Sequence, residues 1–224
     1  MNKALIITAD GSHSVAIPQM GVTYHSTHGA IQESQHVFIK AGLVYQMEKL
    51  HMQDTISIFE MGFGTGLNAF LTLLAAQTHQ QKIYYETIEP YPLTTSTFEA
   101  LNYCAQLQRP GMQHFFMQLH ECPWNTRIDI TPYFSFTKIN TALAAYMPAS
   151  LFDIVYFDAF APDIQPDLWT SQVFKKIYNS MQQGAVLTTY CSKSIVRKAI
   201  AAAGLTVEKI PGPPHKREMV RASV

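Results

Sequence analysis

The chain has 224 residues, 47% of them hydrophobic and 14% charged, with 16 Lys+Arg balanced by 16 Asp+Glu. That composition supplies one domain with its own core and excludes a disordered chain. No apolar run approaches the roughly 20 residues that a bilayer span requires, and the run Leu5-Ile6-Ile7, interrupted at Asp10-Gly11, is too short for a secretory leader.

Taken in order, Leu5–Thr8 and His13–Ile17 around Asp10-Gly11 predict a β-hairpin. Residues 18–35 read as a loop with a short polar helix starting near Gly29. Val37, Phe38, Ile39, Leu43, Val44 and Met47 then have helical spacing. From residue 56 strands and helices alternate. The strands are 56–60, 83–89, 133–139, 152–158 and 185–190. The helices are 67–76, 94–107, 167–181 and 192–203, and 108–132 carries no clear pattern. Residues 207–210 and 219–222 flank Pro211-Gly212-Pro213-Pro214 as a closing antiparallel pair. This alternation predicts an α/β fold, a mostly parallel Rossmann-like sheet covered on both faces. One domain is expected over 1–224, with 1–50 as an N-terminal extension and 51–224 as the core.

Cys104, Cys122 and Cys191 are odd in number and far apart, which argues against a disulfide scaffold and fits a reduced, cytoplasmic compartment. The nine histidines, among them His25, His28, His36 and His51, show no ligand spacing, so no metal is expected. Charge is uneven: residues 1–192 hold 9 Lys/Arg against 14 Asp/Glu, and residues 193–224 hold 7 against 2. The basic end fits either phosphate contact or a solvated face.

Glu60-x-Gly62-x-Gly64-x-Gly66 lies between a strand and a helix. Its third glycine comes four residues after the first, where the dinucleotide fingerprint needs five. The preceding acid and this spacing fit an adenosyl-methionine ligand, which has no pyrophosphate. Glu89, ending the next strand, is placed to accept ribose hydroxyls. Asp158 ends a strand apolar on both faces, so it sits at the carboxyl edge of the sheet, where it can hold an amine. Pro162 and Pro166 stiffen the next loop, Phe160 can pack on a flat ring, and Trp169 reads as a packing residue. Asp167 is the better candidate for a helix cap. Glu86 reads as structural or exposed.

These pieces resemble the methyltransferase domain of the MnmC family over nearly the whole chain. The matching motifs include Ala9-Asp10-Gly11-Ser12-His13, Tyr24-His25-Ser26, Glu33-Ser34, Glu60 through Asn68, Asp158-Ala159-Phe160-Ala161-Pro162 with Pro166-x-Leu168-Trp169, and Lys216-Arg217-Glu218-Met219. The resemblance implies methyl transfer from S-adenosylmethionine to the amine of 5-aminomethyl-(2-thio)uridine at tRNA position 34. It implies that Gly62, Gly64, Gly66, Thr65 and Asn68, with Glu60, form the cofactor loop, that Glu33 reaches the methionine end and Glu89 the ribose. Asp158 would hold the substrate amine, with Tyr24, Phe160, Pro162 and Tyr190 on the substrate side. Lys216 and Arg217 would lie near the anticodon stem-loop. Asn140 stands where the family often has an acid against the adenine amine. The family's FAD-dependent oxidase domain needs far more residues, so no flavin is expected; other tRNA-modification enzymes are possible contacts. An aminopropyltransferase of the spermidine-synthase type and a non-catalytic RNA-binding adaptor with the same fold remain the alternatives.

Overall fold

The structure is a computed structural model that describes residues 3–50 and 55–224. His51 and the expected division after residue 50 fall outside or at the edge of the described residues. Strands β1 (Ala4–Ile7) and β2 (His13–Ile17) pair antiparallel, with Ile7 opposite His13, as the Asp-Gly turn predicts. A two-residue strand that the sequence did not signal, β3 (Val22–Thr23), adds to β2.

Asp10 ties this hairpin to the first helix. Its Oδ1 accepts from Ser12 N (3.0 Å) and the Thr8 hydroxyl (2.8 Å), and its Oδ2 accepts from Gln32 N (3.0 Å) in helix α1 (Ala30–Ser34). The helix continues as a π-helical stretch, Gln35–Val44, and a last turn, α2 (Tyr45–Met47). Val37, Phe38 and Leu43 of that stretch are buried, as their spacing predicts. Gly42 brings its backbone close to the sheet: a Cβ there would lie 3.0 Å from the Tyr156 ring.

The central sheet has eight strands in the order β10-β11-β9-β8-β4-β5-β7-β6. They are β4 (Ile56–Met61), β5 (Ile83–Ile88), β6 (Ile128–Thr131), β7 (Phe134–Ile139), β8 (Phe152–Phe157), β9 (Met181–Thr189), β10 (Thr206–Pro211) and β11 (Glu218–Ser223). The five from β9 to β7 run parallel, and β11 and β6 pair antiparallel at either side. β10 and β11 form the closing antiparallel pair. Strand side chains alternate between faces. Ile58 and Tyr156 join a core under α3 (Leu67–His79) with Phe38, Phe70 and Phe116. Phe59 and Phe157 join the opposite core with Trp169, Phe174 of α7 (Ser171–Tyr178) and Val196 of α8 (Ser194–Ala202). Each fully buried aromatic side chain contributes about 1.5–3 kcal/mol of transfer free energy.

Three expectations differ from what is observed. The helix expected over 94–107 is broken into α4 (Thr95–Glu99) and α5 (Tyr103–Gln106). Asn102 causes the break: its Oδ1 accepts from His13 N (2.8 Å) and its Nδ2 donates to Gly11 O (2.9 Å), so tertiary capture by the hairpin overrides helical continuity. The unassigned segment 108–132 holds α6 (Gln113–Glu121) and β6. The helix expected from 167 starts at Ser171, capped by Thr170, whose hydroxyl accepts from Val173 N; Asp167 lies in a preceding 3-10 turn.

Candidate active site

The chain runs from β4 outward to β5 and β7, then returns to the other side of β4 with β8 and β9. β4 and β8 stay paired to their ends at Met61 and Phe157, and the helices that follow them, α3 and α7, pack on opposite faces; ligands of open α/β sheets bind at such a switch. A cavity of about 1190 Å³ opens at that point, walled by the glycine loop, the loops after β5 and β8, α1 and the N-terminal hairpin.

The loop after β4 turns through Gly62, Gly64 and Gly66, all at positive φ. At Gly64 (φ +53°) a Cβ would meet the Tyr24 ring at 3.0 Å, so the backbone needs glycine both for its conformation and for the approach of Tyr24. Gly64 N donates to Glu89 Oε2 (3.0 Å), and Tyr91 N donates to Glu89 Oε1 (2.8 Å). Glu89 is thereby fixed at the edge of the cavity beside the loop.

Asp158 follows β8 and faces the same space. Asn68, on the first turn of α3, donates from Nδ2 to Asp158 Oδ2 at 2.8 Å, which leaves Oδ1 for a ligand. Burial, reinforced by the charge of Glu33, pushes the Asp158 carboxyl up to about 7; the Asn68 hydrogen bond and Lys216 pull it the other way. Glu33 accepts from Ser26 N (2.9 Å) through Oε2 and from Lys216 Nζ (2.5 Å) through Oε1. The Lys216 ammonium stands 4.3 Å from the centre of the Tyr190 ring. Tyr190 is held in turn by its hydroxyl, which donates to Ala159 O (2.9 Å). Tyr24 and Phe160 meet edge to face, with centroids 5.3 Å apart.

The residues named for the cofactor divide into two groups. Glu33, Gly62, Gly64, Thr65, Asn68 and Glu89 line the cavity. Glu60 has no exposed surface and points under α3, Gly66 packs against Phe63 and His120, and Asn140 donates from Nδ2 to Glu89 O (2.9 Å); none of the three lines it. On the substrate side Tyr24, Phe160, Tyr190 and Lys216 line the cavity with Asp158, whereas Pro162 is buried behind the wall and Arg217 faces solvent. Trp169 is buried and donates from Nε1 to Phe160 O (2.8 Å), which fixes the aromatic wall. Glu86 is buried and accepts from the hydroxyls of Tyr84 and Tyr146.

Two residues gained no role from the sequence. His25 lines the cavity with its Nε2 2.6 Å from Thr65 Oγ1, and His120 Nε2 is 3.1 Å from Thr65 O. Burial lowers the first to about 4 and the second to about 3, so two neutral imidazoles brace the glycine loop. The only signal was the Tyr24-His25-Ser26 motif; nothing in the spacing pairs residue 25 with residue 65. The basic C-terminal segment is also less available than its count implies. Four of its seven cations, Lys193, Lys209, Lys216 and Arg221, pair with acids of the chain itself.

The chain is 28% identical to the tRNA 5-methylaminomethyl-2-thiouridine biosynthesis bifunctional protein MnmC of Nitrosospira multiformis, over 92% of this chain and 34% of that protein. It is also 28% identical to the same-named protein of a Marinomonas species, over 90% and 31%. The chain thus spans about a third of the length of these curated relatives. Among solved structures it is similar to MNMC2 from Aquifex aeolicus, with a TM-score of 0.80 and 23% identity over 99% of this chain and 70% of that one. The spermidine synthase of Thermotoga maritima shares the fold at a TM-score of 0.56 and 11% identity, over 98% and 67%. Residues 105–224, which include Asp158, Tyr190 and Lys216, match the family described as S-adenosyl-L-methionine-dependent methyltransferase. With more than half of its length matched, and an α/β sheet whose glycine loop opens on one large cavity, the chain belongs to the S-adenosyl-L-methionine-dependent methyltransferases.

Proposed function

We propose that the chain methylates the exocyclic amine of 5-aminomethyl-(2-thio)uridine at the wobble position of tRNA. The names of the MnmC relatives supply the substrate class. The observation that carries the chemistry is Asp158, a carboxyl raised to about 7 with one oxygen held by Asn68 and the other open to the cavity.

The residues present fit S-adenosylmethionine: a glycine loop whose Gly64 admits no Cβ without moving Tyr24, an acid at the end of the next strand, and a cavity large enough for a nucleoside and an acceptor together. Glu89 would hold the ribose hydroxyls, the loop from Gly62 to Thr65 the body of the ligand, and Glu33 its methionine ammonium. When bound, the cofactor supplies a methyl group already activated on a positive sulfur.

The protein's task is to orient the acceptor and take its proton. An alkyl ammonium ordinarily loses its proton near pH ~10. An ordinary aspartate, near 3.8, is a weak base for it; at about 7 the Asp158 carboxylate is matched to neutral pH. Oδ1 accepts a proton or an N–H from the acceptor amine while Asn68 keeps Oδ2 in place. Tyr24 and Phe160 form an aromatic wall against which a flat base can pack. Arg197, Lys198 and Arg217 are the cations of the C-terminal segment with no ion pair among the described residues, so theirs are the charges that phosphates would draw on.

The deciding experiment mixes the purified protein with labelled S-adenosylmethionine and tRNA bearing 5-aminomethyluridine, then identifies nucleosides by mass after digestion. Formation of 5-methylaminomethyluridine is the expected result. No product, with the cofactor nonetheless bound, rejects this acceptor; aminopropyl transfer from decarboxylated S-adenosylmethionine to a polyamine would identify the alternative enzyme class.

A further inference from the structure

Glu60 belongs to the glycine motif yet does not reach the cavity. Its place follows from sheet register. Glu60 on β4 lies opposite Thr87 on β5 and Tyr156 on β8. With a two-residue period these side chains, and Tyr85 two residues before Thr87, share the face of the sheet under α3. Glu60 is completely buried there, and neither carboxyl oxygen has a hydrogen-bond partner among the described residues. Thr87, Asn68 and Tyr85 stand around the carboxyl, but Thr87 turns its hydroxyl to the Glu60 backbone carbonyl (3.3 Å).

Asn68 therefore stands between two carboxyl groups. Its Nδ2 donates to Asp158 Oδ2, and its Oδ1 is buried with no donor among the described residues. An ionised Glu60 offers acceptors only: it could take the second N–H of the Asn68 amide, but it would leave Asn68 Oδ1 without a donor and hold a charge in the protein interior, which is strongly unfavourable. A protonated Glu60 removes both conflicts: its O–H can be given to Asn68 Oδ1, and the NH2 stays on Asp158.

We propose that Glu60 is a neutral carboxylic acid in the folded protein and a positioning residue that fixes the Asn68 amide toward Asp158. Burial holds the Glu60 carboxyl well above the ordinary range and the nearby Asp158 charge adds to this, against the smaller opposing pull of Thr87, Asn68 and Tyr85. Tyr85 and Tyr156, the other titratable groups facing it, are themselves held protonated by burial, and their hydroxyls have no partners among the described residues. Thr72 on α3 gives its hydroxyl to the Asn68 carbonyl (2.7 Å), so the turn carrying Asn68 is anchored while its side chain depends on its two carboxyl neighbours.

The protonation state can be tested without turnover; the effect on catalysis rests on the function proposed above. The first readout is thermal stability of the full chain and of Glu60→Gln from pH 5 to 9. A Glu whose folded pKa lies above its unfolded value stabilises the fold below about 4.5, and that contribution is lost as pH rises toward the folded pKa. Gln does not titrate. The melting temperature of Glu60→Gln should therefore rise relative to the wild-type protein as pH increases. A deficit for Gln that grows with pH, or a difference that does not change with pH, overturns the proposal.

The second readout is the pH profile of kcat/KM for Glu60→Leu and Glu60→Gln. Without a donor for its Oδ1, Asn68 no longer holds Asp158, and the Asp158 carboxyl loses a hydrogen bond that lowers its pKa. Glu60→Leu should lose about tenfold in kcat with the acid limb moved to higher pH, and Gln should recover most of both. A loss of kcat with an unmoved limb would mean that Glu60 only packs. If Glu60→Leu does not fold, the stability comparison with Gln decides the matter alone.

Discussion

Lys216 Nζ lies 2.5 Å from Glu33 Oε1, in an ion pair that joins the loop between β10 and β11 to α1 across 183 residues of sequence. The same ammonium stands over the Tyr190 ring and lowers the pKa of Asp158, while Glu33 raises it. Burial is the main cause of the raised Asp158 carboxyl, and two residues from opposite ends of the chain adjust it in opposite directions. Lys216→Met removes the cation and leaves Glu33 acting alone. The acid limb of the kcat/KM profile should move to higher pH, whereas Lys216→Arg should keep it near the wild-type position. An unmoved limb in the Met variant would show that Lys216 does not tune Asp158.

Asp158→Asn should lower kcat about 10²–10⁴-fold, the range for loss of a positioned general base, with cofactor affinity little changed. The same variant has a stability signature. The wild-type carboxyl titrates at about 7 in the folded protein against an ordinary 3.8. Its stabilising contribution is present below that ordinary value and is lost as pH rises through 7. Asn does not titrate, so its melting temperature should gain on the wild type between pH 4 and 7 and then hold. Differential scanning fluorimetry across this range reads the sign directly.

The sequence is legible where its information is local. The strand, turn and helix around Gly62, Gly64 and Gly66 and the apolar strand ending at Asp158 are written in consecutive residues. The fold and the carboxyl edge of the sheet could be read from them. Glu60 could not be placed the same way, because its strand is buried on both faces and the motif does not say which face the acid takes. His25 and Thr65 meet across 40 residues, and Asn102 meets His13 across 89. Such captures leave no period in the sequence, and the second one is why a single expected helix became two.

Gly64→Ala tests the cofactor loop. The position sits at φ +53°, and its new methyl would press on Tyr24 at 3.0 Å. A left-handed backbone at a non-glycine residue costs about 1–2 kcal/mol, and Tyr24 must also move away from Phe160. The expected outcome is a modest fall in melting temperature and, because the free loop relaxes out of the strained conformation that the ligand needs, about a tenfold loss in S-adenosylmethionine affinity by calorimetry. An unchanged affinity would mean that the loop does not contact the ligand.

Asn102→Ala addresses the N-terminal hairpin. Asn102 satisfies His13 N and Gly11 O, which anchors the hairpin to the break between α4 and α5. Removing it leaves one donor and one acceptor without partners, at a cost of about 1–3 kcal/mol. The damage should be local, because both anchor points lie at the turn end of β1 and β2 rather than in the main sheet. It should still reach function, since Ile17 of β2 and Val22 of β3, with Lys3 just before β1, form a wall of the cavity. Hydrogen exchange is expected to quicken through residues 4–17 while the central strands keep their protection. In kinetics a loosened wall weakens the ground-state grip on the acceptor without touching Asp158, so KM should rise with kcat little changed. A fall in kcat at constant KM would instead place the hairpin in control of the reacting geometry.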